Sequence, residues 1–285
     1  MITGIILVIV ALLVLLIATY TDFKTGEIPD WLSYSFIISA LGIRLLHSIL
    51  YNDRLYMLYG IIGFAAMAVF SMLIYYTRQW GGGDAKIAMG LGAAFATSPL
   101  VYTSDVPYLL SLVSNIFIAG GIYGMLWGVY VFARNFKKTL RVAKEEVIAR
   151  KWAYIIIIAL PGMTMIISLF MTGINAVMAF YFSLLILAYL LLFVFIKASE
   201  KSGMYARVLV SKLIEGDWVA EDIRIKGKPV YSKKSLGITK EQIALLRKAK
   251  IKTVIVKTGI KFLIAILIGT AATIAYGNII VFALF

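Results

Sequence analysis

The chain contains no cysteine and a single histidine, His47. Without cysteine there are no disulfides, thiolate metal sites or cysteine nucleophiles. One imidazole gives little basis for a serine triad or a histidine metal centre, and His47 reads as a bystander near a helix end. No metal and no cofactor are therefore expected. Charge is also scarce, at 15% of 285 residues, whereas 62% are hydrophobic and the mean hydropathy is +0.94. Soluble domains rarely exceed half apolar residues, so composition excludes an ordinary soluble enzyme and points to a membrane protein. The formal net charge of +14 does not require nucleic acid as a partner. Basic residues also serve to hold loops on the cytoplasmic side of a bilayer.

Eight apolar runs approach the ~20 residues that cross a ~30 Å hydrocarbon core as helix. They cover about 2–21, 31–50, 56–77, 84–102, 107–133, 153–171, 175–196 and 258–283. The first lacks a basic leader and a small-residue cleavage site, so it reads as a retained span and not a secretory signal. Of the 28 basic residues, all but Arg44 and Arg54 fall in alternate connections. The positive-inside rule then places the N-terminus outside and the ends of odd-numbered spans in the cytoplasm. Ala88, Gly92 and Ala96 in the fourth span, and Gly120, Gly124 and Gly128 in the fifth, recur every four residues. Such stripes let helices pack closely in lipid.

The expected architecture is an all-α polytopic membrane protein of about eight transmembrane helices with a small cytoplasmic α/β insert. Residues 1–196 form the transmembrane core, 197–257 the basic insert and 258–285 a C-terminal helix. Within the insert, Val219–Lys226 and Val230–Lys233 read as strands around a Gly227-Lys228-Pro229 turn. Thr239 with Gln242 forms a capping box opening a helix over Glu241–Ala249, and Ile251–Val256 reads as another strand. The basic charge of the insert suits either water or an anionic lipid surface.

Charges at the ends of apolar runs are costly and often functional. Asp22 lies where the first run gives out, in Tyr20-Thr21-Asp22-Phe23-Lys24. Asp84 opens the fourth, in Trp80-Gly81-Gly82-Gly83-Asp84-Ala85-Lys86. Three glycines allow a turn closed to other residues and a close approach to a partner. Asp84 also suits a helix cap. From Asp84 to Pro99 there are only 16 residues, ~24 Å of helix, so the fourth span is short. Two carboxylates held together share a proton, which equips the pair for acid–base hydrolysis of a peptide bond without a metal, Ser, Cys or His. Lys24 and Lys86 are expected to point towards water or headgroups. Spacing alone leaves a second class open, a cation- or proton-coupled transporter using the same aspartates. Transporters more often carry their acids at mid-span on broken helices; here both sit at one cytoplasmic edge.

At these residues the sequence resembles the GxGD aspartic peptidases of the type IV prepilin and archaeal preflagellin (prearchaellin) peptidase family. The resemblance rests on Asp22 followed by Ile28-Pro29-Asp30, and on Gly81-Gly82-Gly83-Asp84 followed by Ala85-Lys86. It covers roughly residues 1–135 and extends loosely beyond, including the region from Glu215-Gly216-Asp217 through Lys257. It implies a membrane endopeptidase that removes short basic leaders from pilin-like or archaellin precursors at the cytoplasmic face of the cell membrane. Asp22 and Asp84 then take the catalytic roles, and Gly81, Gly82 and Gly83 form the turn that positions Asp84. Glu27, Asp30 and Lys86 become possible substrate contacts, with Asp30 also a candidate N-cap of the second span. Bacterial members often add a four-cysteine region and methyltransferase activity; this cysteine-free chain is expected to be a peptidase only. The presenilin and signal-peptide peptidase group shares a GxGD, but Thr21 separates Tyr20 from Asp22 and only Ala159-Leu160-Pro161 approaches its later motif.

Overall fold

The first apolar run becomes α1 (Ile2–Thr25), and its inward face is the row Gly4, Leu7, Ala11, Leu15 and Ala18. That three-to-four-residue spacing is the stripe one helix face presents to neighbours. A computed structural model describes residues 2–100, 106–225, 227–233, 235–257 and 259–284. The end of the expected fourth span at 101–102, Lys226 of an expected strand and position 258 of the last span lie outside the described residues. The chain divides into two compact units, Met1–Tyr123 with Gly259–Phe285, and Gly124–Thr258.

The first unit is helical. After α1 come α2 (Asp30–Tyr51), α3 (Arg54–Tyr76), α4 (Gly82–Phe95) and the start of α5 (Tyr108–Arg134). Asn52 in the left-handed region ends α2, and the Asp53 side chain accepts from the Tyr56 N–H at 3.2 Å to start α3. α4 is the centre of the unit, with Ala85, Ile87, Ala88 and every residue from Gly90 to Phe95 buried. A helix apolar on all sides must be surrounded, and α4 packs against α1, α2 and α3. α3 comes close enough that a side chain on Gly63 or Gly92 would collide with the opposing backbone. At 14 residues, α4 is ~21 Å long and stops short of the ~30 Å hydrocarbon thickness. The expected fourth span therefore ends well before Pro99.

Arg44 explains how that short helix can end inside the unit. The sequence places Arg44 in or beside an outer loop; the structure buries it completely. Its guanidinium donates to the carbonyl of Ala94 at 3.1 Å, the Thr97 hydroxyl at 3.0 Å and the carbonyl of Tyr56 at 2.8 Å. The last carbonyls of a helix have no partner of their own, and Arg44 supplies donors for them where water is excluded. His47 lies at the same end, within 2.8 Å of the Thr3 hydroxyl and against the rings of Tyr51 and Tyr56. The unit closes with α10 (Leu263–Tyr276) and α11 (Ile279–Leu284). Gly277 interrupts them at φ +70°, and Asn115 of α5 stitches the break by bonding Thr273, the Gly277 carbonyl and the Ile279 N–H.

The second unit holds the rest of α5, α6 (Phe136–Ala149), α7 (Lys151–Ser168) and α8 (Ile174–Gly203), followed by the α/β insert. The sequence treats 134–152 as a basic loop, but most of it is helical. α7 and α8 pair, with Thr164 and Ser183 hydroxyls 2.6 Å apart. β1 (Tyr205–Leu209) pairs antiparallel with β4 (Thr253–Lys257), running Tyr205 opposite Lys257 to Leu209 opposite Thr253. β2 (Ile223–Ile225) and β3 (Lys228–Tyr231) form a hairpin around Gly227, and α9 (Lys240–Lys248) carries the expected Thr239–Gln242 capping box. β1 is absent from the sequence reading. The small core comprises Val210, Val219, Ile238, Leu246, Val254, Val256 and their neighbours.

Among the described residues six helices, α1, α2, α3, α5, α7 and α8, are long and apolar enough to cross a membrane, and α10 is a shorter apolar helix. The first seven expected spans each correspond to a helix, the fourth being a short one, and the eighth is divided at Gly277 into the short helices α10 and α11. The protein is an all-α polytopic membrane protein with two small sheets.

Candidate active site

Asp22 stands in the last turn of α1, which ends as Gly26 turns into the left-handed region at φ +77° and its N–H bonds the Asp22 carbonyl at 3.0 Å. The ammonium of Lys261, just before α10, also donates to that carbonyl, and to the Phe23 carbonyl at 2.7 Å. It lies 4.9 Å from the Phe23 ring centroid. A helix C-terminus carries partial negative charge, which a cation there offsets. Lys261 therefore fixes the backbone that carries Asp22 and places a positive charge beside its carboxyl group. Tyr123 of α5 also lies within electrostatic reach of Asp22.

Asp84 stands in the first turn of α4, and its carboxylate accepts from the Gly81 N–H at 3.1 Å. It thus serves as a cap and still borders the site. The preceding turn is held from both sides. Trp80 is buried against Phe70, Phe117 and Phe262, with ring centroids 6.1, 6.4 and 5.4 Å away. On the other side, a Cβ added to Gly83 would lie 2.8 Å from both Cβ and Cδ1 of Ile28. Gly81 and Gly82 have more room, the nearest atoms to an added Cβ being Asp84 Oδ2 at 3.4 Å and Tyr75 at 3.8 Å. Only the third glycine is demanded by a close approach.

The structure brings Asp22 and Asp84 together: both are half-buried, and Asp22 is near enough for its charge to act on Asp84. Lys86 turns away from them, with its ammonium 2.5 Å from Asp30 and 5.1 Å from the Tyr34 ring centroid. Lys24 is exposed and lies 5.7 Å from the Tyr20 ring centroid. Asp30 is not an N-cap. Pro29 holds that position and Asp30 is the first residue of α2, its carboxylate directed to Lys86. Glu27 is exposed in the α1–α2 connection. Among the described residues no group of three or more His, Asp or Glu could hold a metal ion.

Sequence reasoning missed Lys261, Trp80 and Tyr123. The basic Lys261 just before an apolar run was the available signal for the first, and a large aromatic side chain directly before a glycine run, Trp80-Gly81-Gly82-Gly83, was one for the second. Nothing in the local sequence of Tyr123 marks it.

Residues 9–129 match the type IV leader peptidase family. Over 147 residues the chain is 30% identical to the preflagellin peptidase of Methanocaldococcus jannaschii, covering 49% of this chain and 62% of that protein. The chain thus spans less than two thirds of the length of this curated relative. No solved structure matches it.

Proposed function

We propose, from a segment that carries the type IV leader peptidase pattern, that this chain is a membrane aspartic endopeptidase acting through Asp22 and Asp84. The observation that supports the reading is that Asp22, at the end of α1, lies within electrostatic reach of Asp84, at the start of α4. The ionised member takes a proton from a water molecule, whose oxygen attacks the scissile carbonyl carbon. The protonated member gives its proton to the carbonyl oxygen. As the tetrahedral intermediate collapses, a hydroxyl proton returns to the carboxylate that had protonated the carbonyl oxygen, the C–N bond breaks, and the proton taken from water passes to the leaving amine. The pair returns to its starting charge, and no metal, cysteine or histidine is needed.

The substrates in this reading are pilin-like or archaellin precursors with short basic leaders. Their cleavage site stands ahead of a hydrophobic helix, at the cytoplasmic face, where the basic connections of this chain also lie by the positive-inside rule. Lys261 and Lys86 stand near that entrance and would repel a basic leader. Lys86 is neutralised by Asp30, and Lys261 is turned onto backbone carbonyls. Glu27, exposed in the α1–α2 connection, is the acidic contact this reading assigns to the leader.

The test is purified protein mixed with a leader-bearing precursor. Wild type shortens the precursor, while Asp22→Asn and Asp84→Asn each leave it intact yet fold normally. Cleavage by both variants overturns the assignment. Ion flux in reconstituted vesicles without any cleavage by wild type would instead favour the coupled transporter.

A further inference from the structure

Helix α6 has no part in the candidate active site, and it has an unusual arrangement of surfaces. One face, Thr139 and Glu146, is buried against α8. Next to it runs a stripe of exposed apolar side chains, Phe136, Leu140 and Val147, at 51%, 48% and 37% exposure. Spacings of four and seven residues put these three on one line along the helix. Lys137, Arg141 and Lys144 follow on the far flank of the stripe, all exposed. An apolar stripe bordered by basic residues is the pattern of a helix lying in a bilayer interface.

Three features fix the depth and direction of α6. Asn135 alone separates it from α5, and Arg150 alone separates it from α7, and both neighbours are long apolar helices. With each end tied to a span by one residue, a helix ~21 Å long cannot stand away from the membrane surface. The contacts of its buried face agree. Glu146 pairs with Lys197 at 2.7 Å and Lys201 at 2.5 Å, Thr139 meets the Ser202 hydroxyl at 2.8 Å, and Lys138 donates to the Ser202 carbonyl at 2.8 Å. All of these partners sit in the last two turns of α8. Lys197 is the first charged residue after the uncharged run Ile174–Ile196, so α6 meets α8 where that helix leaves the apolar layer.

We propose that α6 is an interfacial helix that lies on an anionic leaflet, with Phe136, Leu140 and Val147 among the acyl chains and Lys137, Arg141 and Lys144 at the headgroup phosphates. Of the two acids on α6, Glu146 is paired with Lys197, Lys201 and Arg150, and exposed Glu145 stands on the face opposite the stripe. The outer surface therefore keeps its basic character. The proposal is independent of the peptidase reading and concerns the partner class of a separate surface.

The absence of cysteine makes the test direct, because any introduced cysteine is the sole labelling site. The full chain carrying Leu140→Cys, Val147→Cys or Glu145→Cys is spin-labelled and reconstituted. One set of vesicles is phosphatidylcholine alone and the other contains phosphatidylglycerol as well. Collision with oxygen reports acyl-chain depth, and collision with a water-soluble nickel chelate reports aqueous exposure. In phosphatidylglycerol vesicles the labels at 140 and 147 are expected to be oxygen-accessible and shielded from nickel, and the label at 145, on the opposite face, to be the reverse. Replacing Lys137, Arg141 and Lys144 together by Gln should shift 140 and 147 back towards nickel while 145 keeps its line shape, which shows that α6 remains folded. Nickel access at 140 and 147 equal to that at 145 overturns the proposal. So does low access at 140 and 147 to oxygen and nickel alike, which would mean that protein covers the stripe. Immersion unchanged by the Gln substitutions and by removing phosphatidylglycerol refutes the anionic requirement.

Discussion

Ile28 occupies the space that a side chain on Gly83 would need, with its Cβ and Cδ1 both 2.8 Å from where a Cβ would sit. Two segments far apart in sequence, the connection after α1 and the glycine turn before α4, thereby fix each other. The aspartates they carry are positioned by that contact. Gly83→Ala should push the turn off Ile28 and lower the cleavage rate by about 10–100-fold, the scale expected when a catalytic group is displaced by ~1 Å. Adding Ile28→Ala should recover part of the loss, because the space is restored. Gly82→Ala, with its nearest neighbour at 3.8 Å, should cost far less. Rates of leader removal for the three single variants and the double variant check this. Equal losses at positions 82 and 83 would contradict it.

Lys261 is a positioning residue in this scheme, since its ammonium reaches the carbonyls of Asp22 and Phe23. A hydrogen bond from a charged donor contributes about 1.5–3 kcal/mol, and ~1.4 kcal/mol is tenfold in rate. Lys261→Met should therefore reduce kcat by about tenfold or more. KM should change little, because the ammonium is turned to backbone and not to substrate. Lys261→Arg should retain much of the rate. A rise in KM at constant kcat would instead make Lys261 a substrate contact.

The apolar helices and the two aspartates were legible in the sequence for one reason: uninterrupted apolar runs stand out, and so do charges at their ends. What escaped depends on tertiary partners. The basic residues of α6 disguised a helix as a loop, because its apolar stripe has only three large side chains and its buried face is polar. Asp30 looked like a cap because nothing local reveals Lys86, which is 56 positions away. Lys261 is one of 28 basic residues, and its partners are backbone carbonyls that no side-chain pattern announces. β1 was invisible because Tyr205–Leu209 is largely exposed and becomes a strand only by pairing with β4.

Arg44 runs against the usual placement of a charge, and that burial has a measurable consequence. Its guanidinium serves Tyr56, Ala94 and Thr97 from three directions. Removing it leaves buried acceptors without donors, at about 1–3 kcal/mol each. Arg44→Leu should lower the thermal unfolding temperature of the detergent-solubilised protein markedly. Arg44→Lys should not rescue it, because one ammonium cannot match the planar fork. An unchanged unfolding temperature in both variants would show that α4 ends without help from Arg44.

Glu146 ties α6 to α8 in a way that acid should undo. Hydrogen bonds from Lys197 and Lys201 hold its carboxyl at about 2, below the ordinary glutamate value of 4.5. A carboxylate whose value is lowered by folding stabilises the fold above its unfolded value, and that contribution fades as pH falls towards the folded value. The contact should thus be fully present above about pH 4.5 and be lost as pH drops through about 2. Distance between spin labels on α6 and α8, placed at the exposed positions Glu145 and Ile196, should stay fixed from neutral pH down to that window and then broaden. Glu146→Gln should show the broadened distribution at neutral pH and no further change on acidification. If wild type and Glu146→Gln respond to acid alike, the α6–α8 contact is held by Thr139, Lys138 and Ser202, and not by the carboxylate.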